Sequence, residues 1–210
     1  MKPPLSIIIG IFLSFFIMPL HATEKPKKTI IAVQPYKGFS KELTKLVAKG
    51  LEEDYEMTVV ILPVTALPKE AYYKPRSRYR ADILLDHLGS DVDVTFNKII
   101  GLTHKDISTT NGEHYDWGIF GLGSMGGKPC VVSTFRLRAR GANDKRFRQR
   151  LIRVATHEIG HTLGLPHCPN KNCNMIDAEG SILSVDQGTG KLCAPCKKRI
   201  NEPEIQYTSP

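Results

Sequence analysis

Apolar residues follow two different periods along this chain. From Thr29 to Tyr36, TIIAVQPY is almost continuously apolar and reads as a buried strand. The segment SKELTKLVAKGLEEDY, Ser40 to Tyr55, switches to helical spacing: Leu43, Leu46, Val47 and Leu51 share a face, and Ser40 stands where an N-cap belongs. TVVILPV returns to strand character. A second helix is predicted over Ser77 to Leu88, with Ala81, Leu84, Leu85 and Leu88 along one side, and a third strand over Lys98 to Thr103. WGIFGLG and PCVVSTFRL read as two more strands joined by a glycine-rich, hairpin-like turn. Strands separated by helices and closed by a hairpin predict an α/β (α+β) fold, with a mixed, mostly parallel sheet and an antiparallel edge strand.

The last periodic segment is the longest. DKRFRQRLIRVATHEIGHTL begins near Asn143 or Asp144, either of which can cap it. At about 100° per residue, His157 and His161 fall within about 40° of each other, while Ile152, Ala155, Ile159 and Leu163 point the other way. One face can enter a core and the other presents two imidazoles. The cluster KRFRQR on the early turns is predicted to be a solvated basic face. Gly164 follows, and glycine tolerates the left-handed conformation that ends a helix, so the chain can double back and bring His167 to the pair.

Two imidazoles one helical turn apart suit a zinc ion, and Glu158 projects to the side, where it can hold a water rather than bind the metal. Three nitrogen ligands with a fourth position left for water mark a catalytic rather than a structural zinc. Zinc lowers the pKa of that water from about 16 to near 7 and polarises a peptide carbonyl, while Glu158, in the general-base position, takes and passes on the proton. The expected reaction is hydrolysis of a peptide bond by metal-activated water.

Size and charge narrow the setting. A chain of 210 residues that is 41% hydrophobic can build one domain with a sizeable core and is too short for two ordinary ones. The formal charge of +8 is spread along the chain rather than gathered, so no specific nucleic-acid partner is expected. GLGSMGG lacks the lysine and following helix of a phosphate loop. MKPP precedes an apolar run from Leu5 to Leu20, and a polar, lysine-rich stretch follows. That is the pattern of a secretory signal peptide, shorter than the ~20 residues of a spanning helix. The expectation is a signal peptide over 1–22, a catalytic domain over 23–210, export to the periplasm or medium, and no membrane span after cleavage.

After His167 the chain reads Cys168, Cys173, Met175, Cys193, Cys196. Joined to HEIGHTLGLPH, this string resembles the extended signature of the archaemetzincin family of zinc metallopeptidases, with every motif position filled. The resemblance extends from about Thr29 to Ile200 and includes YYKPRSRYRADILLDHL, GLTHKDIS and DWGIFGLGSMGG, but the C-terminal motif alone is highly specific. It implies a metzincin-like fold with an active-site helix, a catalytic zinc on His157, His161 and His167, and Glu158 as general base. Met175 would be the methionine of the turn beneath the metal. A second, structural zinc on Cys168, Cys173, Cys193 and Cys196 would staple a small C-terminal part, making two zinc ions per chain. The substrate would be a peptide or protein whose strand pairs with the sheet edge near Trp117 to Leu122.

Two near pairs of cysteines separated by a longer loop have the spacing of a structural zinc site. Export favours the competing reading, two disulfides. Cys130, between Pro129 and Val131, is predicted to be a buried free thiol. His87, His104 and His114 lie outside the motif and read as surface or core polar residues, His114 being nearest to the cleft. A different class of function also fits: a zinc-stabilised binding protein with an idle peptidase site, contacting an anionic partner through its basic surface.

Overall fold

The computed structural model describes residues 29–201 apart from positions 92 and 179, so the predicted signal segment lies outside the described residues. The elements are β1 (Ile30–Pro35), α1 (Lys41–Tyr55), β2 (Thr58–Ile61), β3 (Tyr72–Tyr73), β4 (Arg78–Arg80) and α2 (Ala81–Asp91). They continue with β5 (Lys98–Thr103), β6 (Ile107–Asn111), β7 (His114–Ile119), β8 (Gly121–Gly123) and β9 (Pro129–Ser133), then α3 (Asp144–Thr162), α4 (Ile182–Gln187) and α5 (Ala194–Asn201).

The main sheet has the order β2-β1-β5-β9-β8. Its first four strands are parallel and β8 runs antiparallel to β9 at the edge, as the hydrophobic pattern predicts. Parallel strands need crossover connections, and these cover both faces. Ile31 and Val33 of β1 join Val47 and Leu51 of α1 and Leu151 and Ile159 of α3. Ala32, on the opposite face of the same strand, joins Leu84, Leu85 and Leu88 of α2. Each fully buried aliphatic side chain contributes roughly 1.5–3 kcal/mol, which is why β1 is apolar at both alternations. Ser40 caps α1 by accepting from the Leu43 N–H at 3.3 Å. Asn143, not Asp144, caps α3, accepting from the Arg146 N–H at 2.9 Å.

A second sheet, order β3-β4-β6-β7, is absent from the pattern-based reading. Its strands are short and largely polar, and ion pairs between distant segments hold it. Arg136 makes a two-point contact with Asp106 at 2.7 and 2.9 Å, and Arg78 reaches Asp106 and Asp116 at 2.8 and 2.9 Å. The structure corrects three boundaries. The second helix starts at Ala81 rather than Ser77, because Tyr79 and Arg80 pair with Ile107 and Ser108. WGIFGLG is not one strand: its first part belongs to β7 and its last to β8 in the other sheet, with Phe120 at the step. PCVVSTFRL is extended only to Ser133, after which the chain turns. A fourth correction concerns KRFRQR. Arg150 is 1% exposed, its fork closed on Asp186 of α4 and its Nη1 donating to the carbonyls of Leu137 and Ala139.

Candidate active site

Helix α3 is fixed at both ends of its histidine turn. The Tyr55 hydroxyl donates to the Thr156 carbonyl at 2.6 Å, and Thr156 Oγ1 donates to Asp54 at 2.9 Å. At the far end, Lys98 Nζ donates to the carbonyls of Thr162 and Gly127, and the Gly126 N–H donates to the His161 carbonyl at 2.9 Å. Strand β8 lies directly on the helix. A Cβ at Gly121 would come within 2.6 Å of Glu158 Oε1, and one at Gly123 within 2.6 Å of the Glu158 carbonyl oxygen. The glycines of GLG are what allow the strand so close.

The helix ends as predicted. Gly164 has φ +86°, and the Gly164 and Leu165 N–H groups donate to the carbonyls of His161 and Gly160 at 2.9 and 3.0 Å, the paired pattern of a left-handed helix stop. The turn brings His167 back to the helix. Its ring centroid lies 5.4 Å from that of His157 and 4.9 Å from that of His161. Beneath them Met175 is fully buried with its sulfur against Gly160.

The hydrogen bonds of the imidazoles decide what the cluster can hold. His157 Nδ1 donates to the Asn174 carbonyl at 2.8 Å, and His161 Nδ1 donates to the Leu165 carbonyl at 2.9 Å. A carbonyl only accepts, so in each neutral ring the proton is on Nδ1 and Nε2 carries a lone pair. Burial lowers both histidines, His157 to about 4, so both rings are neutral near pH 7. The two Nε2 atoms nevertheless face each other at 3.0 Å. Two lone pairs at that distance call for a cation between them, and bonding of the outer nitrogens to carbonyls is how zinc-binding histidines are oriented. The ligand-capable atoms of His157, His161 and His167 all lie within 4.8 Å of one another. His167 is the exposed member, and its Nδ1 lies 3.1 Å from Asp177. Glu158 is 7% exposed, and burial raises its carboxyl to about 8.

The four cysteines form a second cluster. Cys168 and Cys193 have their sulfurs 3.8 Å apart, and Cys173 and Cys196 3.7 Å apart. A tetrahedron with metal–sulfur bonds of about 2.3 Å has edges of about 3.8 Å, whereas a disulfide needs about 2.05 Å. All five cysteines are free thiols in the structure, and Cys130 is buried in β9 as expected.

The cleft over the histidines has a volume of about 400 Å³ and apolar walls that include Trp117, Phe120, Leu122, Met125, Ile176 and Val185. The other described histidines stay outside it. His87 pairs with Glu70, His104 packs on Gly38, and His114 stacks on Trp117 without lining the cleft. Asp177, Asn174 and Arg153 escaped the sequence reading. The first two lie in an aperiodic loop, and Arg153 offered one usable signal: four residues before His157, it shares that face.

A buried glutamate and three converging imidazoles under the edge of a metzincin-like sheet define a zinc metallopeptidase. The sequence model of peptidase family M54 matches residues 30–202, and the chain belongs to that family. It is 31% identical over 181 residues to the archaemetzincin of Haloarcula marismortui, covering 81% of this chain and 98% of that one. The crystal structure of archaemetzincin from Methanopyrus kandleri is similar with a TM-score of 0.73 and 27% identity, covering 88% of this chain and 99% of the other. That of the Archaeoglobus fulgidus archaemetzincin, complexed with malonate, has a TM-score of 0.69 and 29% identity, covering 81% and 99%.

Proposed function

We propose that this metallopeptidase holds a catalytic zinc on His157, His161 and His167, uses Glu158 as its general base, and holds a second, structural zinc on Cys168, Cys173, Cys193 and Cys196. The observation that carries the reading is the pair of unprotonated Nε2 atoms facing each other at 3.0 Å, each locked by a carbonyl behind it. Zinc supplies a Lewis acid there and makes a water molecule acidic near neutral pH. The side chains do the rest. Asp177 orients His167 through Nδ1, leaving Nε2 for the metal. The Glu158 carboxylate, between β8 and α3, takes a proton from water and returns it to the leaving amine. The free edge of β8 offers main-chain groups to an extended peptide, so affinity comes from the backbone. Cleavage of an unbiased peptide library by the zinc-loaded protein tests the reading, and complete inertness toward the library overturns it.

Gly164→Val probes the turn. A β-branched residue at φ +86° is strained by roughly 1–3 kcal/mol, so zinc affinity at the histidines should fall about tenfold or more although no ligand changes. A competition titration with a chromogenic chelator measures it. Unchanged affinity would show that the turn tolerates the side chain.

We also propose that the protein is exported and that cleavage after Ala22 releases a chain beginning near Thr23, because Leu20-His21-Ala22 places a small residue at the cut. N-terminal sequencing of the secreted or periplasmic protein checks this. An intact Met1 on exported protein contradicts it.

A further inference from the structure

Two arginines of α3, Arg150 and Arg153, meet the C-terminal half of α4, where one carboxylate is available to them. Arg150 takes it, with Nε and Nη2 on the two oxygens of Asp186 at 2.8 and 2.7 Å. Arg153 receives main-chain carbonyls instead, those of Val185 and Asp186, at 3.0 and 2.9 Å from Nη1. Among the described residues no carboxylate forms an ion pair with it.

Arg153 nonetheless lines the catalytic cleft. It precedes His157 by four residues, about 6 Å back along the helix axis and on the same face. The cleft it lines is mostly apolar, with Ile176, Ala178 and Val185 beside the polar Asn174 and Ser184. The other ionisable groups nearby do not neutralise it. Asp177 faces His167, and Glu158 packs under β8. Partial burial lowers the Arg153 pKa, offset by the nearby charge of Asp186, yet a guanidinium stays protonated. One wall of the cleft therefore carries a cation that is partly desolvated and, among the described residues, has no ion-pair partner.

We propose that this end of the cleft is a carboxylate-recognising subsite, in which Arg153 receives an anionic group of the substrate about one residue from the bond that is cut. The proposal rests on the peptidase reading of the cleft. Two groups carry the required chemistry, the side chain of Asp or Glu and a free C-terminal carboxylate. Either can form charge-assisted bonds with the donors that the carbonyls leave unused, and apolar walls strengthen such a pair relative to one at an open surface. A neutral isostere would leave the cation unpaired, which is the arrangement that discriminates most strongly.

The test uses zinc-loaded protein carrying Glu158→Gln, so that peptides bind without being consumed. Trp117 is the chain's single tryptophan and lines the cleft, so its fluorescence reports occupancy. One peptide pair is acetylated and amidated and differs by Glu against Gln at successive positions. The other ends in Leu as a free acid or as an amide. The anionic member of at least one pair should bind at least about tenfold tighter, and the pair that discriminates identifies the source of the carboxylate. Arg153→Met should bring that ratio to about one. Arg153→Lys, which keeps the charge but not the planar fork, should keep part of it and guards against a folding defect in the methionine variant.

Equal binding within both pairs overturns the subsite. So does a ratio that survives Arg153→Met, or a parallel loss for charged and neutral peptides, since a mere clamp on α4 would act on both alike. If the wild-type protein shows the Arg153-dependent ratio but cuts no peptide, the peptidase reading fails and the subsite stands. Cleavage without the ratio does the reverse: the peptidase reading stands and the subsite fails.

Discussion

Glu158→Gln should lower kcat by about 10²- to 10⁴-fold while the protein keeps its full complement of zinc. Glutamine has nearly the same volume as glutamate, and the slot under Gly121 is too tight for rearrangement, so the fold of the site should survive. What disappears is the proton acceptor. Single-turnover rates and metal analysis of the same sample check the two halves of the expectation, and loss of zinc in the variant would make Glu158 a ligand instead.

A second readout separates burial from catalysis. The carboxyl of Glu158 is raised from 4.5 to about 8 by desolvation, so without metal the folded state favours the protonated acid. For a group raised in this way, stability is intact below pH 4.5 and declines as pH climbs toward 8, because the unfolded chain ionises first. Under chelation the glutamine variant, which has nothing to ionise, should therefore gain on the wild type between these pH values and hold a constant lead above them. A thermal-denaturation series against pH measures the gap, and a gap independent of pH would mean that the carboxylate is not desolvated as the structure has it.

With a structural zinc on the four thiols, as proposed, Cys193→Ser should cost the protein one zinc ion and lower activity more than tenfold, although His157, His161, His167 and Glu158 all remain. The reason is proximity in the chain. Cys168 follows His167 directly, its N–H donates to the Met175 carbonyl at 2.7 Å, and the Asn174 carbonyl orients His157. The loop from His167 to Met175 thus carries one member of the histidine cluster and supports another. Structural zinc contributes about 10–16 kcal/mol to small zinc-finger peptides, and a domain with its own core should lose only part of that. The thermal midpoint should still fall clearly. If the thiols instead form two disulfides, the protein will hold one zinc, weigh about four hydrogens less than its reduced form, and show Cys130 as its single reactive thiol under denaturing conditions. That result would remove the second metal site.

The histidine cluster was legible because its parts are close in sequence. His157 and His161 are separated by one turn, Gly164 supplies the stop, and His167 follows within reach, so helix geometry alone brings the three together. The three central strands of the main sheet were legible for a related reason: a parallel strand covered on both faces must be apolar at both alternations, and β1, β5 and β9 are. The second sheet left no such trace. Its strands are short and half-exposed, and the arginine–carboxylate pairs that join them link residues some thirty to forty positions apart, as from Arg136 to Asp106 and from Arg78 to Asp116.

Charge assignment shows the same division most clearly. KRFRQRLIR reads as a basic stripe, and helical period places Arg150 and Arg153 one turn apart on the chain. Their fates diverge because α4 brings a single carboxylate, Asp186, to that side of the helix, and Arg150 closes both arms on it. The local sequence by itself determined that the three histidines converge, since their spacing is a property of one helix and its turn. Only the tertiary structure decided which cation is neutralised, which strand edge stays open and which residues line the cleft, because each depends on a partner that chain proximity does not supply.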